Sequence, residues 1–210
     1  MTTSSGASET GYGYSSAEAD HTAPYLWPTV ERAAHEHAPP PARGFDLGCG
    51  NGAFAARLHV LGYEMAGCDV SVEGIRIAQA THPDVRLIQA SAYDDLASDH
   101  GTFDIVTSLE VVEHVYAPRI YAATLRALVA PGGVAIVSTP YHGYLKNVAL
   151  AMSGKMDAHF TALWDHGHIK FWSEATLGQL LHEAGFASVR FARVGRVRAF
   201  AKSMVAIATP

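Results

Sequence analysis

The stretch FDLGCGNG, residues 45–52, decides the fold, because an apolar run gives way there to three glycines at alternate positions. The residues before it, Arg43 to Leu47, predict a β-strand, and Asn51 to Leu61 predict an α-helix from their apolar spacing. Glycines between a strand and a helix allow positive φ and let a ligand approach the backbone closely. Ligands of open parallel sheets bind beyond the carboxyl ends of the strands. The sequence therefore predicts a ligand site at this loop.

Outward from the loop, short apolar runs alternate with amphipathic segments. The further predicted strands are 63–70, 85–90, 103–109, 134–139, 188–194 and 203–208. Strand–helix–strand units at this spacing imply right-handed crossovers and a parallel sheet, while the last two runs are close enough to pair antiparallel. The sequence predicts an α/β fold with a doubly wound, mostly parallel seven-stranded sheet and an antiparallel C-terminal strand.

Two segments fall outside this alternation. Residues 1–15 are rich in Ser, Gly and Thr and are predicted to be a disordered tail, followed by a single domain at 16–210. The pattern of 16–37 is helical but contains two prolines. Residues 141–172, after the fifth strand, are rich in aromatic residues, Met and His. A connection of this length is usually a functional element, so we expect a helical lid there.

Composition excludes several classes of protein. Of the 210 residues, 49% are apolar and 17% are charged, below the roughly 25% charged fraction of most soluble domains, so a disordered chain is excluded. The formal charge of −5 argues against a nucleic-acid partner. The longest apolar runs are strand-sized, so we expect no transmembrane segment. The two cysteines, Cys49 and Cys68, with no export signal, favour a reduced, cytoplasmic protein.

Two aspartates indicate which ligand the loop would take. Asp69 ends the second predicted strand about twenty residues after the glycines, where an acidic residue can accept both hydroxyls of a ribose. The alternative is that Asp69 only caps the next helix. Asp46 lies directly before the glycines, where its carboxylate would repel a pyrophosphate and suit a cationic ligand. Asp46 therefore speaks against a NAD-dependent Rossmann enzyme.

These motifs carry a family resemblance. FDLGCGNG, GCDVS, FDIVTSLEVVEHV and the L..PGG..IVSTP pattern resemble class I S-adenosylmethionine-dependent methyltransferases from about Gly44 to Gly185. The Glu-Val-Val-Glu-His element resembles the ubiquinone-biosynthesis O-methyltransferase-like branch. The resemblance implies a Rossmann-like methyltransferase fold and S-adenosylmethionine as the cofactor.

The resemblance also implies the cofactor-binding residues. The glycine loop would lie under the methionine and ribose, Asp69 would hold the ribose, and Asp46 would lie near the amino group. Where relatives place an aspartate near the adenine amine, this chain offers the Ser91 side chain or the Ala92 amide. The full expected set is Asp46, Gly48, Cys49, Gly50, Gly52, Asp69, Val70, Ser91, Ala92, Leu109 and Glu110.

A second set of polar residues follows the fourth strand. Glu110, Glu113 and His114 have spacings of three and four, which would put them on one helical face directed into the crevice. Two carboxylates and an imidazole suit a divalent ion such as Mg²⁺, Mn²⁺ or Zn²⁺, with a fourth ligand available in 164–168. The element also resembles the metal site of small-RNA 3′-end 2′-O-methyltransferases, and there His168 occupies the matching fourth position. That family's RNA-binding arm has no counterpart here.

The alternative to a metal site is a metal-free pocket in which His114 or His168 is the catalytic base. His142 and His159 are expected to have lid-surface or structural roles. Seven other histidines are expected to be solvated: His21, His35, His37, His59, His82, His100 and His182. The C-terminal basic run is also expected to be a solvated face: Arg190, Arg193, Arg196, Arg198 and Lys202.

The functional expectation is O-methylation of a small apolar or aromatic hydroxyl acceptor. The sequence leaves open methylation of a ribose or other vicinal hydroxyl, and a non-catalytic S-adenosylmethionine-binding protein. A homodimer is also left open.

Overall fold

The structure is a computed structural model that describes residues 16, 18–19, 21–160, 162–164 and 167–210. The predicted tail at 1–15 therefore lies outside the described residues. Seven strands form one sheet: β1 Arg43–Leu47, β2 Glu64–Asp69, β3 Arg86–Gln89, β4 Phe103–Leu109, β5 Val129–Pro140, β6 Ser188–Val194 and β7 Ser203–Thr209. Their order across the sheet is β3-β2-β1-β4-β5-β7-β6. β1 to β5 pair in parallel, and β7 runs antiparallel to β5 and β6, which confirms the predicted fold.

Helices cover both faces of this sheet. They are α1 Ala23–His37, α2 Ala53–Val60, α3 Val72–Thr81, α4 Leu96–His100, α5 Pro118–Leu128, α6 Tyr144–Met152, α7 Met156–Phe160 and α8 Glu174–Glu183. One core cluster joins α5 and α8 to the sheet, and a second joins α1, α2 and α3 to its other face. The strand order reverses between β1 and β4, which places a topological switch point at the carboxyl ends of these two strands.

Local sequence sets the helix boundaries. Ser71 caps α3 by accepting a hydrogen bond from the Gly74 amide, and Ser173 forms a capping box with Thr176 at the start of α8. α1 begins at Ala23, later than the predicted start at residue 16, and Pro28 lies inside it without ending it.

The prediction that a helix begins directly after β4, with Glu110, Glu113 and His114 on one face, is wrong. Residues 110–117 form turns, and α5 begins at Pro118, where the missing amide proton costs nothing. Glu110 has a φ of 55°, so its backbone is left-handed and outside any helix.

The segment predicted to be a lid, 141–172, has a helical centre and buried ends. α6 and α7 bury no side chain, whereas Tyr141 and Trp172, at the two ends of the predicted lid, belong to the core. The Trp172 indole donates to the Val112 carbonyl at 3.1 Å, which fixes the returning chain against the turn after β4. Within the described residues, no helix combines the length and apolar character that crossing a bilayer requires.

Candidate active site

The glycine loop after β1 is closely packed. Gly48, Gly50 and Gly52 all have positive φ, at 86°, 55° and 77°. A Cβ on Gly48 would lie 2.5 Å from a Val111 methyl group, and one on Gly52 would lie 2.5 Å from Leu87. The loop therefore requires glycine for its conformation and for the space that it occupies.

Asp69 holds this loop in place. One carboxylate oxygen accepts from the Gly50 amide at 2.9 Å, and the other accepts from the Ser71 amide at 2.8 Å. Burial raises the pKa of Asp69, while these amide hydrogen bonds oppose the rise. The α3 cap is the Ser71 hydroxyl, and Asp69 supports the start of the helix by accepting from the amide of this capping residue. Each Asp69 oxygen keeps further acceptor capacity.

Asp46 is a buried carboxyl group beside the loop. It is 3% exposed and accepts a hydrogen bond from the Thr107 hydroxyl at 2.7 Å. Burial raises the pKa of Asp46 to about 7, with the Thr107 hydrogen bond lowering it and the Asp69 charge adding to the rise. A cation placed here would restore the ionised form.

The loop lines a cavity of about 470 Å³, which we call the loop cavity. Asp46, Gly48, Cys49, Gly50, Leu109 and Glu110 from the expected set line it. Its opposite wall comes from the N-terminal segment. The side-chain amide nitrogen of Asn51 donates to the Ser16 and Glu18 carbonyls of this segment, each at 2.9 Å. Sequence reasoning missed this wall, because no motif marks it.

The other expected cofactor residues lie elsewhere. Val70 is exposed on the surface after β2, and the described lining of the loop cavity does not include Gly52, Asp69, Val70, Ser91 or Ala92. The Ser91 amide donates to the Asp94 carboxylate at 2.7 Å, so it is already used within its own turn. The Ser91 hydroxyl accepts from the Tyr93 amide at 3.1 Å.

Glu110 lies where β4, β5 and β7 meet. The Ser138 hydroxyl donates to one Glu110 oxygen at 2.8 Å, and the Ser203 hydroxyl donates to the other at 3.5 Å. The Glu110 amide donates to the Ser138 carbonyl at 3.1 Å, which stabilises the left-handed turn. These contacts between strands, rather than helix hydrogen bonds, determine the direction of Glu110.

Three of the four expected metal ligands come together. Glu113, His114 and His168 each offer a ligand atom, and these atoms lie within 4.8 Å of one another. Glu110 is not part of this group. The His114 Nδ1 donates to the Gly167 carbonyl at 3.2 Å, which directs its other ring nitrogen away from that carbonyl. The remaining segment candidates, Asp165 and His166, lie outside the described residues.

Burial controls the charge of this cluster. Both carboxylate oxygens of Glu113 are buried and accept no hydrogen bond within the described part of the chain. Burial, followed by the charge of Glu110, raises the pKa of Glu113 well above its usual range. Burial also lowers the pKa of His168 to about 4, with further lowering from His114 and His159, so its imidazole is neutral at pH 7. Glu113 Oε1 lies 4.0 Å from His168 Nε2. Carboxylate oxygens that accept no hydrogen bond and a neutral imidazole are suitable ligands for a divalent cation.

A second cavity, of about 560 Å³, contains this cluster's histidines and is called the lid cavity here. His114 and His168 line it together with residues of α6. The lid cavity and the loop cavity share four wall residues: His21, Thr22, Glu110 and Trp164. The two cavities therefore meet at the end of β4.

Three residues that were expected to be solvated also line the lid cavity. His21, Arg196 and Lys202 are exposed, as expected, and Lys146 of α6 lines the cavity with them. Their sequence positions are far apart, so only the fold brings them together. His142 is buried in a ring cluster with His159, Phe160 and Phe171, as a structural role requires, while His159 also lines the lid cavity.

Comparisons with known proteins show the family of the chain. Residues 19–190 match the sequence model of a family described as a methyltransferase domain. The chain is similar to the ubiquinone biosynthesis O-methyltransferase of Burkholderia pseudomallei (strain 1710b), with 31% identity over 163 residues that cover 74% of this chain and 68% of that one.

Two solved structures share the fold. One is the magnesium protoporphyrin IX methyltransferase of Synechocystis PCC 6803 with bound S-adenosylhomocysteine, which has a TM-score of 0.66 and 18% identity, covering 87% of this chain and 81% of that one. The other is the methyltransferase domain of the bacterial protein CtHen1, which has a TM-score of 0.64 and 22% identity, covering 87% of this chain and 96% of that one.

Proposed function

The chain belongs to the class I S-adenosylmethionine-dependent methyltransferases, and on that basis we propose that it methylates a hydroxyl oxygen of a small, partly apolar acceptor. The observation that carries the proposal is the meeting of two cavities at Glu110 and Trp164. One cavity has the glycine loop and Asp46, which suit the cationic cofactor. The other has His114 and His168, which suit a hydroxyl group that must lose its proton. The similarity to an O-methyltransferase supports oxygen as the accepting atom.

In the loop cavity, Asp46 would hold the ammonium group of the cofactor. Asp69 is not part of the described lining of that cavity, but it accepts a hydrogen bond from the Gly50 amide in the cavity wall, and it would hold the ribose hydroxyls. Both carboxylates are directed by hydrogen bonds from neighbouring strands or loops, so they need little rearrangement on binding. Because Gly48 and Gly50 have no side chain, the cofactor could lie directly on the backbone of this wall.

Methyl transfer needs in-line alignment and a deprotonated oxygen, because the sulfonium methyl group is already activated. A phenol has a pKa near 10, and a positioned base contributes about 10²–10⁴-fold in rate. His114 is the candidate base, because burial lowers the pKa of His168 to about 4 and makes it a weak base. The Nδ1 of His114 donates to the Gly167 carbonyl, which orients its ring.

Glu113, His114 and His168 would also hold a divalent cation, because their ligand atoms lie within 4.8 Å of one another and the Glu113 oxygens accept no hydrogen bond within the described residues. When bound, such a cation supplies Lewis-acid lowering of the pKa of a hydroxyl group. Through the same cluster, a vicinal diol, including a terminal ribose, is the second candidate acceptor, because two adjacent oxygens can chelate one ion.

The test is release of S-adenosylhomocysteine over a panel of phenols, catechols and nucleosides, with and without excess chelator. We expect Glu113→Gln, His114→Ala and His168→Ala each to lose at least about tenfold in kcat while cofactor binding survives, because the three residues act as one unit. The matched control is His35→Ala, an exposed histidine of α1. Full activity in chelator would exclude the metal and leave His114 as the base. If none of the hydroxyl acceptors in the panel leads to release of S-adenosylhomocysteine, O-methylation is refuted.

A further inference from the structure

The lid cavity has an excess of positive charge. Lys146 of α6, Arg196 of the β6–β7 connection and Lys202 before β7 all line it, and Glu110 is the one acidic residue in its described lining. The whole chain has a formal charge of −5, so this concentration of cations runs against its average. The excess is a property of the cavity, not of the surface in general.

Each cation is available to a ligand in a different way. The Lys146 ammonium donates to the Tyr141 and Ala201 carbonyls at 2.8 and 3.4 Å, which fixes it in position and leaves a third N–H. Burial, followed by the charge of Arg196, lowers the pKa of Lys146. Arg196 therefore repels Lys146, and the charge of Glu110 opposes this effect, but neither cation forms a salt bridge within the described residues.

The other two cations lie at the more open part of the wall. Arg196 is exposed, and nothing in the described chain accepts a hydrogen bond from its guanidinium. The Lys202 ammonium lies 4.8 Å from the centre of the Tyr25 ring, which orients it by a cation–π contact without neutralising it.

The loop cavity has the opposite charge. Its described lining contains Glu18, Asp46 and Glu110 but no lysine or arginine. A cationic cofactor suits that wall, and the cations of the lid cavity are separated from it. An anion in the lid cavity would offset the repulsion between Lys146 and Arg196 and gain charge-assisted hydrogen bonds.

We propose that the acceptor is an anion, whose carboxylate or phosphate group contacts Arg196 and Lys202 and reaches the free N–H of Lys146. Ala149, Leu150 and Phe200 line the same cavity and would contact an apolar or aromatic body. The acceptor is then an amphipathic hydroxy acid or phosphate monoester. This inference rests on the proposed function, because it concerns the acceptor side of the same site.

Matched ligand pairs test the proposal on the full chain loaded with S-adenosylhomocysteine. Calorimetry would compare 3,4-dihydroxybenzoate with 3,4-dihydroxybenzamide, 4-hydroxycinnamate with its amide, and 4-hydroxyphenyl phosphate with 4-hydroxybenzoate. We expect at least one anion to bind at least about tenfold more tightly than its neutral partner, the factor of one hydrogen bond to a charged group. The third pair distinguishes phosphate from carboxylate. If no acid binds more tightly than its amide, the proposal is wrong.

Variants test which residues cause the tighter binding of the anion. Arg196→Gln and Lys202→Gln should each reduce it at least about threefold, whereas Arg190→Gln should leave it unchanged, because Arg190 lies on β6 beside His37 and does not line the cavity. If Arg196→Gln and Lys202→Gln both keep the full preference for the anion over its neutral partner, the proposal is wrong. A tenfold loss of S-adenosylhomocysteine affinity in Arg196→Gln would also overturn it, because the cations would then hold the cofactor's own carboxylate.

Turnover separates this inference from the proposed function. Methylation of neutral phenols alone would leave O-methylation standing and refute the anionic acceptor. Tight binding of the acids without methylation of any hydroxyl acceptor would refute O-methylation and leave the anion site standing.

Discussion

Cofactor affinity should depend on pH through Asp46. The pKa of Asp46 is about 7 in the folded protein, raised by burial from a usual value of 3.8. If the Asp46 carboxylate holds the cofactor's ammonium group, binding requires its ionised form. Below pH 7 the Asp46 carboxyl group must therefore lose a proton when the cofactor binds. For a pKa of about 7, the dissociation constant of S-adenosylhomocysteine should rise about eightfold between roughly pH 7.5 and pH 6.

The same shift has a consequence for stability, and its sign is opposite to that of a salt-bridged carboxylate. Between about pH 4 and pH 7 the folded protein binds more protons at Asp46 than the unfolded chain does, so the Asp46 contribution to the free energy of unfolding falls as pH rises. Asp46→Asn keeps an acceptor for the Thr107 hydroxyl but cannot ionise. Its melting temperature relative to the wild type should therefore increase from pH 5 to pH 7.5.

Calorimetric titration with S-adenosylhomocysteine across this pH range is the assay. The wild type should show the eightfold change, and Asp46→Asn should bind weakly with a smaller pH dependence. Asp84→Asn, an aspartate outside both cavities, is the matched control. A flat profile in the wild type, or the same profile in Asp46→Asn, would refute the assignment of Asp46 to the ammonium group.

Three further predictions concern the loop and the lid. Asp69→Ala removes the acceptor of the Gly50 and Ser71 amides and should weaken S-adenosylhomocysteine binding at least about tenfold, as measured by calorimetry. The circular dichroism spectrum should not change, and unchanged binding would contradict a role of Asp69 in holding the ribose. Gly48→Ala forces a Cβ against Val111 and should lower the free energy of unfolding by about 2–4 kcal/mol in a denaturant titration. The control Gly154→Ala, which has positive φ but open space, should lower it by about 1 kcal/mol, and equal losses would show that packing at Gly48 does not matter. Residues 144–160 bury no helix side chain and should be cut first by protease within the described chain, with protection by S-adenosylhomocysteine plus acceptor; resistance in the free protein would mean that the segment is not a lid.

Strand positions could be predicted because buried parallel strands read as short apolar runs. β1 has the predicted bounds, and β4 does as well. β5 begins at Val129, five residues before its prediction, because Val129 pairs with Phe103 across an irregularity that the Pro-Gly-Gly sequence permits. The five-residue α4 was missed, since a helix that short has no periodicity to detect.

The candidate site was harder to predict where contacts between distant residues decide it. The spacing of Glu110 and Glu113 suggested one helical face, but the chain forms turns there, and Glu110 accepts hydrogen bonds from Ser138 and Ser203 and is not among the three clustered ligands. The glycine loop and Asp69 followed from local sequence, because their conformation is set within one strand–loop–helix unit. No local pattern could have brought Lys146 to Arg196, since they approach only after the lid and the C-terminal strands are in place.

The hydrogen bonds from Asn51 to the N-terminal segment have a consequence for the order of kinetic events. Ser16 and Glu18 are attached there to the glycine loop, and His21 and Thr22, a few residues on, form part of the wall of both cavities. Withdrawal of this segment would expose the two cavities in a single step. The spent cofactor and the methylated product would then depart with a common rate constant, and exchange of one ligand would accelerate exchange of the other.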